Sequence, residues 1–147
     1  MASKYTEGVF MFVTLISAFF LGLVAGLRSL TAPAALFLVR GGIIGIVLAV
    51  LAVAELIADM LPQIPSRTSP PALIARILSG GIVGWLIAGA NSSLAIVGAI
   101  LGIVGALVGA YGGRLVRIAA IERIGAVPAA LAEDLVAIAL AAFIVTR

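Results

Sequence analysis

Glu55 and Asp59 stand one helical turn apart in IIGIVLAVLAVAELIADML, a run that is otherwise apolar and leads straight into PQIPSRTSPP. Residues four apart share a helix face. Ionised side chains inside a hydrophobic span are costly enough to mark either a site or a paired structural element. Arg76 follows early in the next apolar run, Arg114 and Arg117 close a later one, and Glu133 and Asp134 open the last. If these runs are helices, charges from four of them converge at one membrane face. Two chemistries are open. In one, the charges form a neutralising belt, Glu55 with Arg76 and Glu133 or Asp134 with Arg114 or Arg117, which fixes the helices in register. In the other, they line a polar vestibule whose carboxylates bind a cation or exchange protons while the arginines hold an anion.

The loop Ser66, Arg67, Thr68, Ser69 adds a candidate anion site. Ser69 or Thr68 can cap the following helix, and Pro70 or Pro71 fits its first turn. A helix N-terminus offers free N–H groups and partial positive charge, to which Arg67 adds a planar fork of donors. The alternative is a rigid, capped hairpin in which Arg67 meets only lipid headgroups. Arg28, after GLVAGL, is expected to snorkel to the interface, and Trp85 to face lipid or pack against a neighbour.

Histidine and cysteine are both absent. That removes disulfides, thiolate and imidazole metal sites, cysteine nucleophiles and histidine acid–base pairs. No enzymatic activity, cofactor or metal is expected. A membrane enzyme acting on lipid phosphates would need carboxylates and a metal, for which Glu55 and Asp59 are weak candidates.

The elements that must position these residues follow from composition. Of 147 residues, 64% are hydrophobic and 10% charged, and the mean hydropathy of +1.35 lies far outside the range of soluble domains. The chain reads as one all-α integral membrane domain, residues 1–147. Its net charge of +3 comes from scattered basic residues, so they signal topology and not nucleic acid. Five apolar segments, 8–27, 41–61, 71–90, 94–113 and 126–145, approach the roughly 20 residues of a spanning helix. The first is expected to be retained, since it lacks the cleavage site of a signal peptide. Between the first two, residues 29–39 are too apolar for a loop and too short to span, and suggest a re-entrant or interfacial half-helix. The distribution of Lys and Arg puts the N-terminus in the cytoplasm and, with five spans, the C-terminus on the other side, unless residues 29–39 are themselves a span, which would change the count.

Gly98, Gly102, Gly105, Gly109 and Gly112 recur at alternating steps of four and three. They form a stripe that lets another backbone approach, within the chain or between protomers. A fainter echo joins Arg28 and PAAL at 33–36 to Arg114 and PAAL at 128–131, as an inverted-repeat transporter would. The intervals, five residues against fourteen, do not match.

The stretches GLVAGLRSLTAPAAL, AELIADMLPQIPSRTSPPALIARILSGGIVG and AALAEDLVAIALA resemble the small bacterial membrane proteins grouped as domain of unknown function 4126. The likeness covers nearly the whole chain and implies a compact multi-helix inner-membrane protein with no assigned activity. Two functions stand out. One is a small transporter or permease for an anionic or lipid-linked solute. The other is a non-catalytic subunit, packing by its glycine faces into a homo-oligomer or a larger membrane complex. Membrane lipids are expected partners in both.

Overall fold

The computed structural model describes residues 2–58, 69–89 and 92–147, with side chains from residue 7 onward. Six helices are present among them and no strand: α1 (Ala2–Leu27), α2 (Thr31–Arg40), α3 (Ile43–Ala58), α4 (Pro70–Ile87), α5 (Ala95–Ile124) and α6 (Ala126–Val145). The half-helix expected at 29–39 is α2. Its partner α3 returns along it, because Gly41 and Gly42 make the turn with φ of 77° and 100°, a region that only glycine enters freely. Pro70 and Pro71 open α4, and Pro33 and Pro128 each take the third position of their helix, where no intrahelical N–H is required. The PAAL echo is thus a shared way of starting a helix.

Four of the described helices are long and apolar enough to cross a membrane: Glu7–Leu27, Pro70–Ile87, Ala95–Ile124 and Ala126–Val145. Large apolar side chains face outward along their length, among them Phe10, Phe12, Ile96, Val116 and Leu135. This is the surface of a helical membrane protein, whose outer face meets hydrocarbon instead of water.

Three helices pack backbone to backbone. A Cβ added to Gly22 would fall within 3 Å of Gly102, one on Gly26 within 3 Å of Gly109, and one on Gly84 within 3 Å of the Gly98 carbonyl group. Numbers rise together along α1 and α5 and run oppositely along α4, so α1 and α5 are parallel and α4 is antiparallel to both. Gly98, Gly102, Gly105 and Gly109 therefore serve contacts with α1 and α4 inside the chain. The fifth glycine of the stripe, Gly112, has nothing within 4 Å of an added Cβ.

Two expectations change. Alternating directions over six helices bring both ends of the chain to one end of the bundle, where Arg147 lines a cavity with Phe12 and Val13, so the C-terminus does not lie opposite the N-terminus. The two PAAL units also follow parallel helices, α1 and α5, and are not inverted. The reason is common to both: the five-span count includes α3 but omits α2, whose run back along the bundle reverses the direction of every later helix.

Candidate functional site

The site is built on the place where α1 stops. The helix closes with the Arg28 N–H donating to the Val24 carbonyl at 2.8 Å, and α2 opens with the Ala34 N–H donating to Leu30 at 2.9 Å. Residues 28–30 reverse the chain between them. This reversal is deep. Its partner in α4, Ser79, is the tenth of 18 residues, and its partner in α6, Asp134, is the ninth of 20, so it lies about halfway along both helices.

Irregular backbone at such depth survives only where protein satisfies its polar groups. Three helices do so. The Glu55 carboxylate, from α3, accepts the Ser29 N–H at 2.9 Å and the Ser29 hydroxyl at 2.7 Å on one oxygen, and the Leu30 N–H at 3.0 Å on the other. The Ser79 hydroxyl donates to the Ser29 carbonyl oxygen. Asp134 receives Nε of Arg28 at 2.7 Å and also its Nη2 through the same oxygen. Glu55 thus supplies from outside the cap that α2 lacks, since Leu30 at the cap position has no side-chain acceptor. A carboxylate there also meets the positive end of the α2 dipole.

Arg28 is 1% exposed. The expectation that it snorkels to the interface is wrong, and the reason is the position of the reversal: α1 ends among its neighbours, not at the membrane surface. An arginine at that point must find a carboxylate, because a desolvated charge left unpaired costs several kcal/mol. A signal was present in the sequence. A half-helix after Arg28 requires a buried turn, and a buried turn carries its first side chain inward. Ser29 and Ser79 were missed as well; a single serine in an apolar helix gives no warning of its partner.

The other sequence candidates fall into three groups. Arg76 is buried in α4, one turn before Ser79, and so belongs to the same neighbourhood. Glu55, however, spends its hydrogen bonds on Ser29 and Leu30, not on Arg76. Arg117 and Glu133 form a separate, longer pair at 3.5 Å, one of the pairings expected, and Arg114 lies one turn before Arg117 on α5. These two do not close a four-helix belt with Glu55, because α5 runs to Ile124 and does not stop at residue 113. Asp59, Ser66, Arg67 and Thr68 lie outside the described residues, as does Asn91. Ser69 occupies the cap position of α4 with an extended backbone, φ −62° and ψ 146°, but its hydroxyl makes no capping hydrogen bond. Trp85 is half-exposed on α4.

Among the described residues the reversal therefore pairs Arg28 with Asp134 and holds a half-helix N-terminus with an internal carboxylate, Glu55. An anion arriving at that N-terminus would compete with Glu55 for the same donors. No group of three or more His, Cys, Asp or Glu is placed to hold a metal ion among the described residues. Comparison with protein-family models, with curated proteins and with solved structures finds no match.

Proposed function

We propose that the chain is a small membrane permease for an anionic or lipid-linked solute, working at the break between α1 and α2. One observation carries this reading. A half-helix N-terminus halfway along the bundle, with the N–H groups of Ser29 and Leu30 held by the Glu55 carboxylate, is the kind of element that secondary transporters aim at anionic solutes. The solute takes the N–H groups of Ser29 and Leu30, and Glu55 withdraws as α3 swings from α2 on the Gly41–Gly42 turn. On release, Glu55 recaps α2. The family resemblance and a bacterial inner-membrane location belong to this proposal. So does a cytoplasmic N-terminus, although among the described residues its support in charge is now even: Lys4, Arg40 and Arg147 lie toward one end of the bundle, and Arg114, Arg117 and Arg123 toward the other. The chain has no cysteine, so a single cysteine introduced at Ser3 or at Arg147 reports sidedness directly; both are expected to resist a membrane-impermeant maleimide in intact cells. Labelling of either would reverse the orientation.

The rival reading, a non-catalytic subunit assembled through glycine faces, loses its motive where Gly98, Gly102, Gly105 and Gly109 face α1 and α4 of the same chain. The permease reading is tested in proteoliposomes with two probes, inorganic phosphate and a phosphatidylglycerol carrying a headgroup fluorophore that dithionite quenches. Wild-type protein is expected to move one of them faster than empty vesicles do. Glu55→Gln is expected to raise that rate severalfold, because a neutral acceptor holds an N–H about half as strongly as a carboxylate and gives way to the solute more readily. Neither probe moving, or equal rates in both proteins, would refute the reading.

A further inference from the structure

Glu55 is the one polar side chain of α3; every other residue from Ile43 to Ala58 is isoleucine, leucine, valine, alanine or glycine. Val53 and Ile57, to either side of it in the chain, lie on the outer surface. Among the described helices α3 packs chiefly against α2, so a swing away from α2 carries it out of the bundle and toward hydrocarbon. The carboxylate is held by the α1–α2 turn, with the Ser29 N–H and hydroxyl on one oxygen and the Leu30 N–H on the other. Hydrogen bonds of this kind are what make an ionised side chain tolerable at such depth.

The charged groups around the turn belong to helices that α3 leaves behind. Arg28, at the end of α1, gives Nε and Nη2 to Asp134 on α6. Arg76 is buried in α4, where the Ser79 hydroxyl is spent on the Ser29 carbonyl. Arg40 stands at the other end of α2, its Nη2 donating to the Leu86 carbonyl at 3.0 Å. A carboxylate that gives up Ser29 and Leu30 while α3 moves outward therefore meets no new donor on its own helix. Its charge would stand bare in a medium of low polarity, a state so costly that a carboxyl group neutralises instead.

We propose that Glu55 takes up a proton each time the solute displaces it, so that one proton travels with each anion. This coupling rests on the permease reading. On entry the anion takes the N–H groups of Ser29 and Leu30, and a proton from water on that side forms an O–H bond on the Glu55 carboxylate. On release that O–H bond breaks, its proton passes to water on the opposite side, and the carboxylate returns to the turn. The turn holds one negative group in either state, and a monovalent anion crosses without net transfer of charge.

The test uses proteoliposomes whose membrane potential is held at zero by valinomycin and equal potassium, with inorganic phosphate and the labelled phosphatidylglycerol again as probes. With the interior about one pH unit more alkaline than the outside, the wild type is expected to gather the moving probe on the inner side roughly tenfold. Phosphate itself titrates near neutral pH, so for that probe the reading is the difference between wild type and Glu55→Gln. The variant has no group at this position to carry the proton, and it is expected to move the probe at its raised rate without accumulating it. Glu55→Ala serves the same purpose if Glu55→Gln folds poorly. A wild type that only equalises the lipid probe, or a variant that accumulates either probe as the wild type does, would overturn the coupling and leave the permease standing. Neither probe moving in any of the proteins would overturn both.

Discussion

Replacing Asp134 with alanine is expected to destabilise the protein by about 3–5 kcal/mol, the cost of leaving one member of a buried ion pair behind. Arg28 cannot reach water from its position, 1% exposed, and the substitution removes the acceptor of both its Nε and Nη2. For a chain of this size a loss of 3 kcal/mol lowers the melting temperature by roughly 6–12 °C. The control is the double variant Arg28→Met with Asp134→Leu. Exchanging a buried pair for apolar side chains of similar volume is often neutral, so the double variant should melt within a few degrees of wild type while Asp134→Ala does not. Thermal unfolding in detergent, followed by circular dichroism, decides the matter. If Asp134→Ala melts with the wild type, the pair does not hold the reversal.

The second large effect belongs to Gly102, where the backbones of three helices meet. A Cβ there comes within 3 Å of the Gly80 carbonyl carbon and oxygen, while Gly22 from α1 presses on Gly102 from its other side. Backbone cannot rotate away as a side chain can, so Gly102→Ala must push α4 off α5. Overpacking of this kind costs about 1–3 kcal/mol, occasionally more, and Gly102→Leu is expected to prevent assembly. Gly112→Ala, ten residues further along α5, should instead be neutral or gain up to about 1 kcal/mol from the helix preference of alanine over glycine. The same melting assay compares the two alanine variants, and equal melting temperatures would mean that the close approach of α4 and α5 carries no stability.

That contrast marks the limit of what the sequence made legible. The spacing of the five glycines placed them on one face, but spacing cannot say where a neighbouring helix ends. Gly112 lost its neighbour because α1 stops at Leu27. The apolar runs located α1, α4 and α6 within a few residues at most boundaries, since burial in lipid demands length and hydrophobicity and little else. The end of α5 was misplaced by eleven residues. Arg114, Arg117 and Arg123 end an apolar pattern without ending a helix, and the breaker comes only at Gly125, with φ of 87°.

Within the site, Glu55 and Asp134 were recognisable because carboxylates in apolar helices need a reason. Their partners were not. Arg28 and Glu55 fell on opposite membrane faces when α2 was treated as an appendage to a five-helix count. Counting α2 and α3 as a full reversal brings them to adjacent residues. The Glu55 carboxylate accepts the backbone N–H groups of Ser29 and Leu30, a demand that no pattern of side-chain types reveals.

The Arg28–Asp134 pair spans 106 positions in the chain, and that separation has a meaning in time. At about 5–20 residues per second of synthesis, Arg28 is made roughly 5–20 s before Asp134 emerges. Glu55 arrives much earlier and can seal the Ser29–Leu30 turn at once, yet the guanidinium must wait in a half-built bundle for the last helix. Closure of the core therefore waits for α6, whose arrival gives the guanidinium its carboxylate.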